Sequence, residues 1–135
     1  MSIARKIKIM VVDDDDNILE VFRDIFIDSQ FEVFTALDGP AAIAEFQHQK
    51  YDLAFIDILM PGMNGLEVLQ ALLKINSDFV AIMISGFRDE TKLEEALKIG
   101  AKYYLYKPFD VHDIFAIALK CLKHLGLQDK IEPVF

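Results

Sequence analysis

Residues 53–65 read LAFIDILMPGMNG, a short apolar run that meets an aspartate and then a loop containing Pro and Gly. A continuous apolar run of strand length, bounded by turn residues, is typical of a strand buried on both faces of a sheet. After the loop, five apolar residues recur at helical spacing: Leu66, Val68, Leu69, Leu72 and Leu73. We therefore predict a strand over residues 53–56, then a helix, with the carboxylate of Asp57 directly after the strand.

The same strand-then-helix unit occurs five times along the chain. Mostly apolar, strand-sized runs lie at residues 7–12, 31–36, 53–56, 79–84 and 103–106. Amphipathic segments predict helices that start near residues 17, 40, 65, 89 and 110, the fourth of them ending at Gly100. Strict alternation of strands and helices predicts an α/β fold with one doubly wound, five-stranded parallel sheet.

The caps and inner faces of the helices follow from the same spacing. Asp15 or Asp16 is placed to cap the first helix, and Pro40 suits the first turn of the second. We expect the following residues to face the sheet: Ile18, Leu19, Phe22, Ile25 and Phe26 in the first helix; Ile43, Ala44 and Phe46 in the second; Val111, Ile114, Phe115, Ala118, Leu122 and Leu125 in the last.

Length and composition indicate one domain. The chain has 135 residues, of which 53% are apolar, and we expect the domain to occupy residues 1–126, with 127–135 a C-terminal tail or the start of a linker. The net charge of −8 argues against direct nucleic-acid contact, which needs clustered Lys and Arg. The apolar runs are too short to span a membrane, and Cys121 has no partner for an intramolecular disulfide. We expect a cytoplasmic protein with no membrane contact.

Polar side chains follow four of the predicted strands. Asp13 and Asp14 come after the first strand, Asp57 after the third, Ser85 after the fourth and Lys107 after the fifth. The carboxyl ends of parallel strands lie at one edge of a sheet, where ligands bind in doubly wound folds. If these four strands are neighbours, the five side chains meet in one crevice.

The chemistry of these groups is complementary. Carboxylates that lie close together repel one another, and their ionised forms persist when a cation joins them. Oxygen ligands select Mg²⁺ or Ca²⁺, and a site with few protein ligands and room for water and phosphate suits Mg²⁺. A carboxylate can act as the nucleophile that forms an acyl phosphate, with Lys107 and Ser85 placed to meet phosphoryl oxygens.

Each residue taken singly has an ordinary interpretation. Asp57 could be a helix cap or turn residue, Ser85 a turn residue and Lys107 a surface lysine. An EF-hand loop beginning at Asp13 would need Gly where Ile18 stands, so we exclude it. A flavodoxin-like binder or a metal-dependent phosphatase remains open, although Leu59 stands where an aspartyl-phosphate phosphatase would carry its second acid.

Four motifs together resemble the receiver domain of two-component response regulators. They are VVDD at residues 11–14, DILMPGMNG at 57–65, SG at 85–86 and YKPF at 106–109, in the family's order and spacing. The resemblance extends from about residue 7 to about residue 125. It implies a flavodoxin-like strand order of 2-1-3-4-5.

The resemblance also implies a role for each site residue. Asp57 would be phosphorylated, and Asp14, Asp57 and the backbone carbonyl of Leu59 would bind Mg²⁺, with Asp13 acting largely through water. Lys107 would pair with the phosphoryl group. The Ser85 hydroxyl and the Tyr104 ring would form the switch that responds to phosphate, although Thr is commoner than Ser at the first of these positions.

A signalling role follows from the same resemblance. The phosphodonor would be a sensor histidine kinase or a phosphotransfer protein, and the chain would be a phospho-acceptor that assists its own chemistry, not an ordinary enzyme. Phe87 and Tyr104 would belong to a face that contacts a downstream protein or output domain, with a homodimer possible on phosphorylation. A stand-alone receiver, a module of a longer chain, and a pseudo-receiver that signals without phosphate are the alternatives within this class.

Overall fold

A computed structural model describes residues 5–28, 30–86 and 89–126. The strands are β1 (Ile7–Val12), β2 (Phe31–Ala36), β3 (Leu53–Asp57), β4 (Val80–Ser85) and β5 (Tyr103–Tyr106). The helices are α1 (Asp16–Ile25), α2 (Gly39–Phe46), α3 (Gly65–Ile75), α4 (Glu90–Ile99) and α5 (Val111–His124). Phe87 and the expected tail, 127–135, lie outside the described residues.

The strands form one parallel sheet in the order β2-β1-β3-β4-β5. Both the predicted fold class and the strand order implied by the resemblance are confirmed. Because β1 pairs with β2 on one side and with β3 on the other, the order of the strands reverses between β1 and β3. In doubly wound sheets, a crevice opens at that point outside the carboxyl ends of the strands.

The sheet has an apolar core on each face, and the alternation along β1 shows how they divide. Met10 and Val12 pack with residues of α2, α3 and α4, whereas Ile7, Ile9 and Val11 pack with residues of α1 and α5. Successive side chains of a strand point to opposite faces, so a strand covered on both sides must be apolar throughout. This requirement explains the continuous apolar runs in the sequence.

Four helices begin at a side chain that accepts a hydrogen bond from the first turn. The caps are Asp15 of α1, Asp38 of α2, Asn64 of α3 and Asp110 of α5. Each such cap typically contributes about 1 kcal/mol. Of the two predicted candidates for α1, the cap is therefore Asp15.

The structure corrects four details of the sequence prediction. β3 extends to include Asp57, and β4 begins and ends one residue later than predicted, at Val80 and Ser85. Ala44 is exposed, because α2 buries Gly39, Ala42 and Phe46, which follow the helical period from its start. Val111 is 46% exposed, since it occupies the first position of α5, one turn ahead of the first buried residue.

Gly65 lets α3 begin against the backbone that carries Asp57. Its amide donates to the Ile58 carbonyl at 2.9 Å. A Cβ at this position would overlap the Asp57 carbonyl oxygen and lie 2.7 Å from the Ile58 Cα. Since backbone atoms cannot move aside as a flexible side chain can, only glycine fits here without displacing the end of β3.

We predict that Gly65→Ala lowers the free energy of unfolding by about 1–3 kcal/mol, the usual cost of overpacking. Urea unfolding measures this change. Gln70→Ala, an exposed substitution on the same helix, should change stability by less than about 0.5 kcal/mol. Equal stability of Gly65→Ala and the parent chain would show that the end of β3 is not held in this way.

Candidate functional site

Three carboxylates meet at the carboxyl edge of the sheet. Asp13 and Asp14 follow β1, Asp57 is the last residue of β3, and one oxygen from each lies within 4.8 Å of the others. Asp13 is fully buried, Asp57 is 4% exposed and Asp14 is exposed. The three carboxylates therefore converge as expected from the strand ends, and they form a cluster that opens to solvent at Asp14.

The two carboxylate oxygens of Asp13 differ in their hydrogen bonding. Its Oδ1 accepts the Asp15 amide at 2.9 Å, which ties the start of the β1–α1 loop to the end of β1. Its Oδ2 is buried and accepts no hydrogen bond from the described residues, although the Lys107 Nζ lies 3.3 Å away. A buried carboxylate oxygen without a hydrogen bond is costly, so this atom suits a cation or the water that a cation would carry.

Lys107 brings a positive charge to the cluster. Its Nζ donates to the Asp57 Oδ2 at 3.5 Å, and its backbone amide donates to the Ser85 carbonyl at 2.9 Å. Burial opposes the charged form of Lys107, but the charges of Asp13 and Asp57 outweigh it and raise the pKa of the ammonium. When all three carboxylates are ionised, the one ammonium leaves two negative charges uncompensated at this centre.

The pKa values of two of the carboxyl groups are raised in this cluster. Burial, and then the charge of Asp13, raise the pKa of Asp57 from 3.8 to about 7, against the opposing effect of Lys107. Burial also raises the pKa of Asp13. Ionised Asp57 is thus unfavourable until positive charge arrives, which is the condition expected of a cation-dependent centre.

Ser85 and Tyr104, the two residues expected to form the switch, differ in burial and in their contacts. Ser85 is fully buried, and its Oγ donates to the Gly86 carbonyl at 3.1 Å instead of to a carboxylate. Tyr104 is 43% exposed, and its ring centroid lies 4.9 Å from that of Tyr106. The switch roles of Ser85 and Tyr104 stay predictions, as does the Mg²⁺ ligation by the Leu59 carbonyl in the loop after β3.

Two features of the site were missed by sequence reasoning. A cleft of about 440 Å³ lies beside Lys107, lined also by Ile18, Gly86, Pro108 and Phe109. Asp89, predicted only as a helix start, is 7% exposed and its Oδ2 accepts the Gly86 amide at 3.0 Å. Neither has a signal in the sequence, because the cleft joins distant elements and an aspartate before a helix usually caps it.

Comparison with known families places this arrangement. The family model described as the response regulator receiver domain matches residues 9–119. The chain belongs to this family. It is a receiver domain of two-component response regulators, a class of signal-transduction domains that are phosphorylated on an aspartate.

Known relatives of this receiver domain agree in sequence and in fold. It is 28% identical to the sensory transduction protein RegX3 of Mycobacterium tuberculosis over 90% of this chain and 53% of that protein. It is also 28% identical to the sporulation initiation phosphotransferase F of Bacillus subtilis, over 79% of this chain and 86% of that protein. The chemotaxis protein CheY4 of Vibrio cholerae superposes with a TM-score of 0.81 at 28% identity, over 87% of this chain and 99% of that one.

Some of these relatives are longer than this chain. The chain spans about half the length of RegX3. None of the helices that the structure describes combines the length and apolar character of a bilayer crossing.

We predict that Asp57→Asn stabilises the metal-free protein at high pH. Asp57 loses its proton near pH 3.8 in the unfolded chain and near pH 7 in the folded chain. The free energy of unfolding therefore falls as the pH rises between these two values. With chelator at pH 8, the variant should therefore exceed the parent by about 1–2 kcal/mol in urea unfolding, and the gap should close below about pH 4.

The exposed acid Asp78, in the loop before β4, provides the control. Asp78→Asn should follow the parent chain within about 0.5 kcal/mol at every pH. If Asp57→Asn is less stable than the parent at pH 8, the carboxylate repulsion described above is absent.

Proposed function

We propose that this receiver domain takes a phosphoryl group onto Asp57 from a phosphohistidine of a sensor histidine kinase or a phosphotransfer protein. One observation carries the proposal: Asp57 ends β3 beside two further carboxylates, and the Lys107 Nζ lies 3.5 Å from its Oδ2. A nucleophilic carboxylate, a fixed cation and clustered oxygen ligands are the parts that phosphoryl transfer needs.

The donor set suits Mg²⁺. The ligands are oxygens, one buried oxygen of Asp13 has no hydrogen bond within the described residues, and Asp14 leaves the cluster open to solvent. Mg²⁺ takes few protein ligands and keeps several waters. Asp14, Asp57 and the Leu59 carbonyl would hold it, with Asp13 acting through water. When bound, the ion neutralises charge on the carboxylates and on the phosphoryl oxygens.

The residues of the chain would position the reacting groups and neutralise the charge that builds up on the phosphoryl oxygens. An Asp57 oxygen attacks phosphorus, the phosphorus–nitrogen bond of the donor breaks, and its electron pair leaves with the imidazole. Lys107 moves its hydrogen bond from Asp57 to a phosphoryl oxygen as negative charge builds up there. The receiver domain thus assists its own phosphorylation without turning over a separate substrate.

The cleft beside Lys107 supplies an approach for the donor. Ile18, Pro108 and Phe109 give it apolar walls, and Lys107 lies in its lining. A phosphohistidine has an apolar ring face and a charged phosphoryl tip, so the cleft complements both. We place the donor protein across the start of α1 and the β5–α5 loop.

The output is a change of protein contacts. The phosphoryl group offers the Ser85 hydroxyl a new acceptor, and the movement would let the Tyr104 ring turn inward. Tyr104 together with Phe87 would then alter a face read by a downstream protein, an output domain or a second copy of the chain. The receiver would occupy residues 1–126 in the cytoplasm, with 127–135 a C-terminal tail or the start of a linker.

We predict that acetyl phosphate with Mg²⁺ adds about 80 Da to the parent chain, one phosphoryl group on a carboxylate nucleophile. Intact mass spectrometry detects the gain. Asp57→Asn should show none, Lys107→Ala should show a slower gain, and the matched control Asp78→Asn should behave as the parent does.

A gain that survives in Asp57→Asn would place the phosphoryl group elsewhere and contradict the assignment. No gain in the folded parent with Mg²⁺ present would leave a receiver that accepts the phosphoryl group from its kinase alone, or a pseudo-receiver that acts by protein contact. Turnover of a phosphate ester would instead support a phosphatase.

We predict that Mg²⁺ stabilises the parent chain through Asp14. At a concentration tenfold above its dissociation constant, a ligand of the folded state adds about 1.4 kcal/mol to the free energy of unfolding. Thermal unfolding with and without millimolar Mg²⁺ should show this gain in the parent and in Asp16→Ala, which removes an exposed neighbouring acid. The same gain in Asp14→Ala would rule Asp14 out as a ligand.

A further inference from the structure

Asp89 holds both polar groups of Gly86, the residue that follows β4. Its Oδ2 accepts the Gly86 amide at 3.0 Å, and its own amide donates to the Gly86 carbonyl at 3.3 Å. Asp89 is 7% exposed, so water competes little for its carboxylate. Hydrogen bonds to an ionised group are roughly twice as strong as neutral ones. Together the two bonds fix the course of the chain directly after Ser85.

The same carboxylate leaves its own helix without a side-chain cap. Asp89 occupies the N-cap position of α4 with φ −105° and ψ 20°, and its side chain makes no capping hydrogen bond. Among the helices in the described part of the chain, the other four are capped in this way. An aspartate at this position ordinarily accepts from the second or third residue of the helix, here Thr91 or Lys92. The bond to Gly86 takes the place of that cap.

The Gly86 carbonyl also accepts a hydrogen bond from the hydroxyl of Ser85, which would move in the proposed switch. Ser85 Oγ donates to it at 3.1 Å, on the same oxygen that accepts from the Asp89 amide. Ser85 is fully buried, so its hydroxyl is shielded from bulk solvent. The resting direction of the Ser85 hydroxyl is therefore set by a carbonyl that Asp89 holds in place.

We propose that Asp89 is a positioning residue that keeps Ser85 in its resting direction, and that on phosphorylation it exchanges the Gly86 amide for the first-turn amides of α4. The inference rests on the proposed function, because Ser85 gains a new acceptor only when Asp57 carries the phosphoryl group. With the carboxylate on Gly86 the start of α4 is uncapped, and with the carboxylate on α4 the Gly86 amide is released. The other four capping residues have extended backbones, whereas Asp89 has ψ 20°, so the two arrangements need different backbone angles at Asp89 and the phosphoryl group shifts their populations.

The first test compares phosphorylation rates with acetyl phosphate and Mg²⁺. Asp89→Ala removes the Gly86 bond from the resting arrangement and the α4 cap from the other. Because the carboxylate lies on Gly86 in the unphosphorylated chain, the bond to Gly86 is the stronger of the two, so the rate should rise by up to about threefold, less than a whole net hydrogen bond would provide. Asp89→Asn keeps a weaker acceptor and should lie between. Asp38→Ala is the matched control, because it removes the cap of α2 without touching Gly86, and its rate should equal that of the parent.

A merely structural Asp89 would not produce acceleration. An Asp89→Ala rate equal to or below that of the parent, with the Asp38→Ala rate unchanged, overturns the proposal.

The second test needs no phosphate. Amide hydrogen exchange of the unphosphorylated chain should be about tenfold faster at Gly86 in Asp89→Ala than in the parent, the effect of one lost hydrogen bond. With Mg²⁺ and beryllofluoride on Asp57, the parent should lose protection at Gly86 and gain it at Thr91 or Lys92. Equal exchange at Gly86 in the parent and Asp89→Ala overturns the proposal, even if the parent takes up no phosphoryl group and the proposed function fails.

Discussion

The site depends on the mutual repulsion of three carboxylates held within 4.8 Å of one another around one lysine. Burial strengthens the repulsion and, with the charge of Asp13, raises the pKa of Asp57 to about 7. Two things relieve it: a proton, which removes the nucleophile, or a cation, which preserves it. The requirement for a cation and the capacity to accept a phosphoryl group therefore have one physical origin. Within the described residues the Oδ2 of Asp13 accepts no hydrogen bond, and Asp14 is exposed, which suits the binding of that cation.

The fold maintains this unfavourable cluster because its neighbours are rigid. β1 and β3 pair directly and are buried between two apolar cores, so their ends cannot move apart. Gly65 allows α3 to pack against the backbone of Asp57, and the Asp15 amide fixes one oxygen of Asp13. The stability gained over the whole sheet offsets a local cost at its edge, an arrangement typical of functional sites. Next to this rigid part, the Gly86 peptide is held by hydrogen bonds that can be exchanged.

Most of the fold could be predicted because its determinants are local. The buried strands must be apolar on both faces, and the alternation of strands and helices selects a parallel sheet whose carboxyl ends meet. The gathering of Asp13, Asp57 and Lys107 followed once the strand order implied by the family resemblance was added to that geometry. The exposure of Ala44 and the one-residue shift of β4 did not, because pattern alone does not set where an element begins. The hydrogen bond between Asp89 and Gly86 could not be predicted either. An aspartate before a helix can accept from the helix or from a neighbouring loop, and only the tertiary structure decides between them.

The most direct test of the account is a crystal structure of the chain grown with Mg²⁺ and beryllofluoride. The account predicts an octahedral ion bound by Asp14, Asp57 and the Leu59 carbonyl, with Asp13 reaching it through water. It also predicts beryllofluoride on an Asp57 oxygen, within hydrogen-bond distance of the Lys107 Nζ and the Ser85 hydroxyl. An ion bound away from these carboxylates, or beryllofluoride absent from Asp57 while the ion is present, would contradict it.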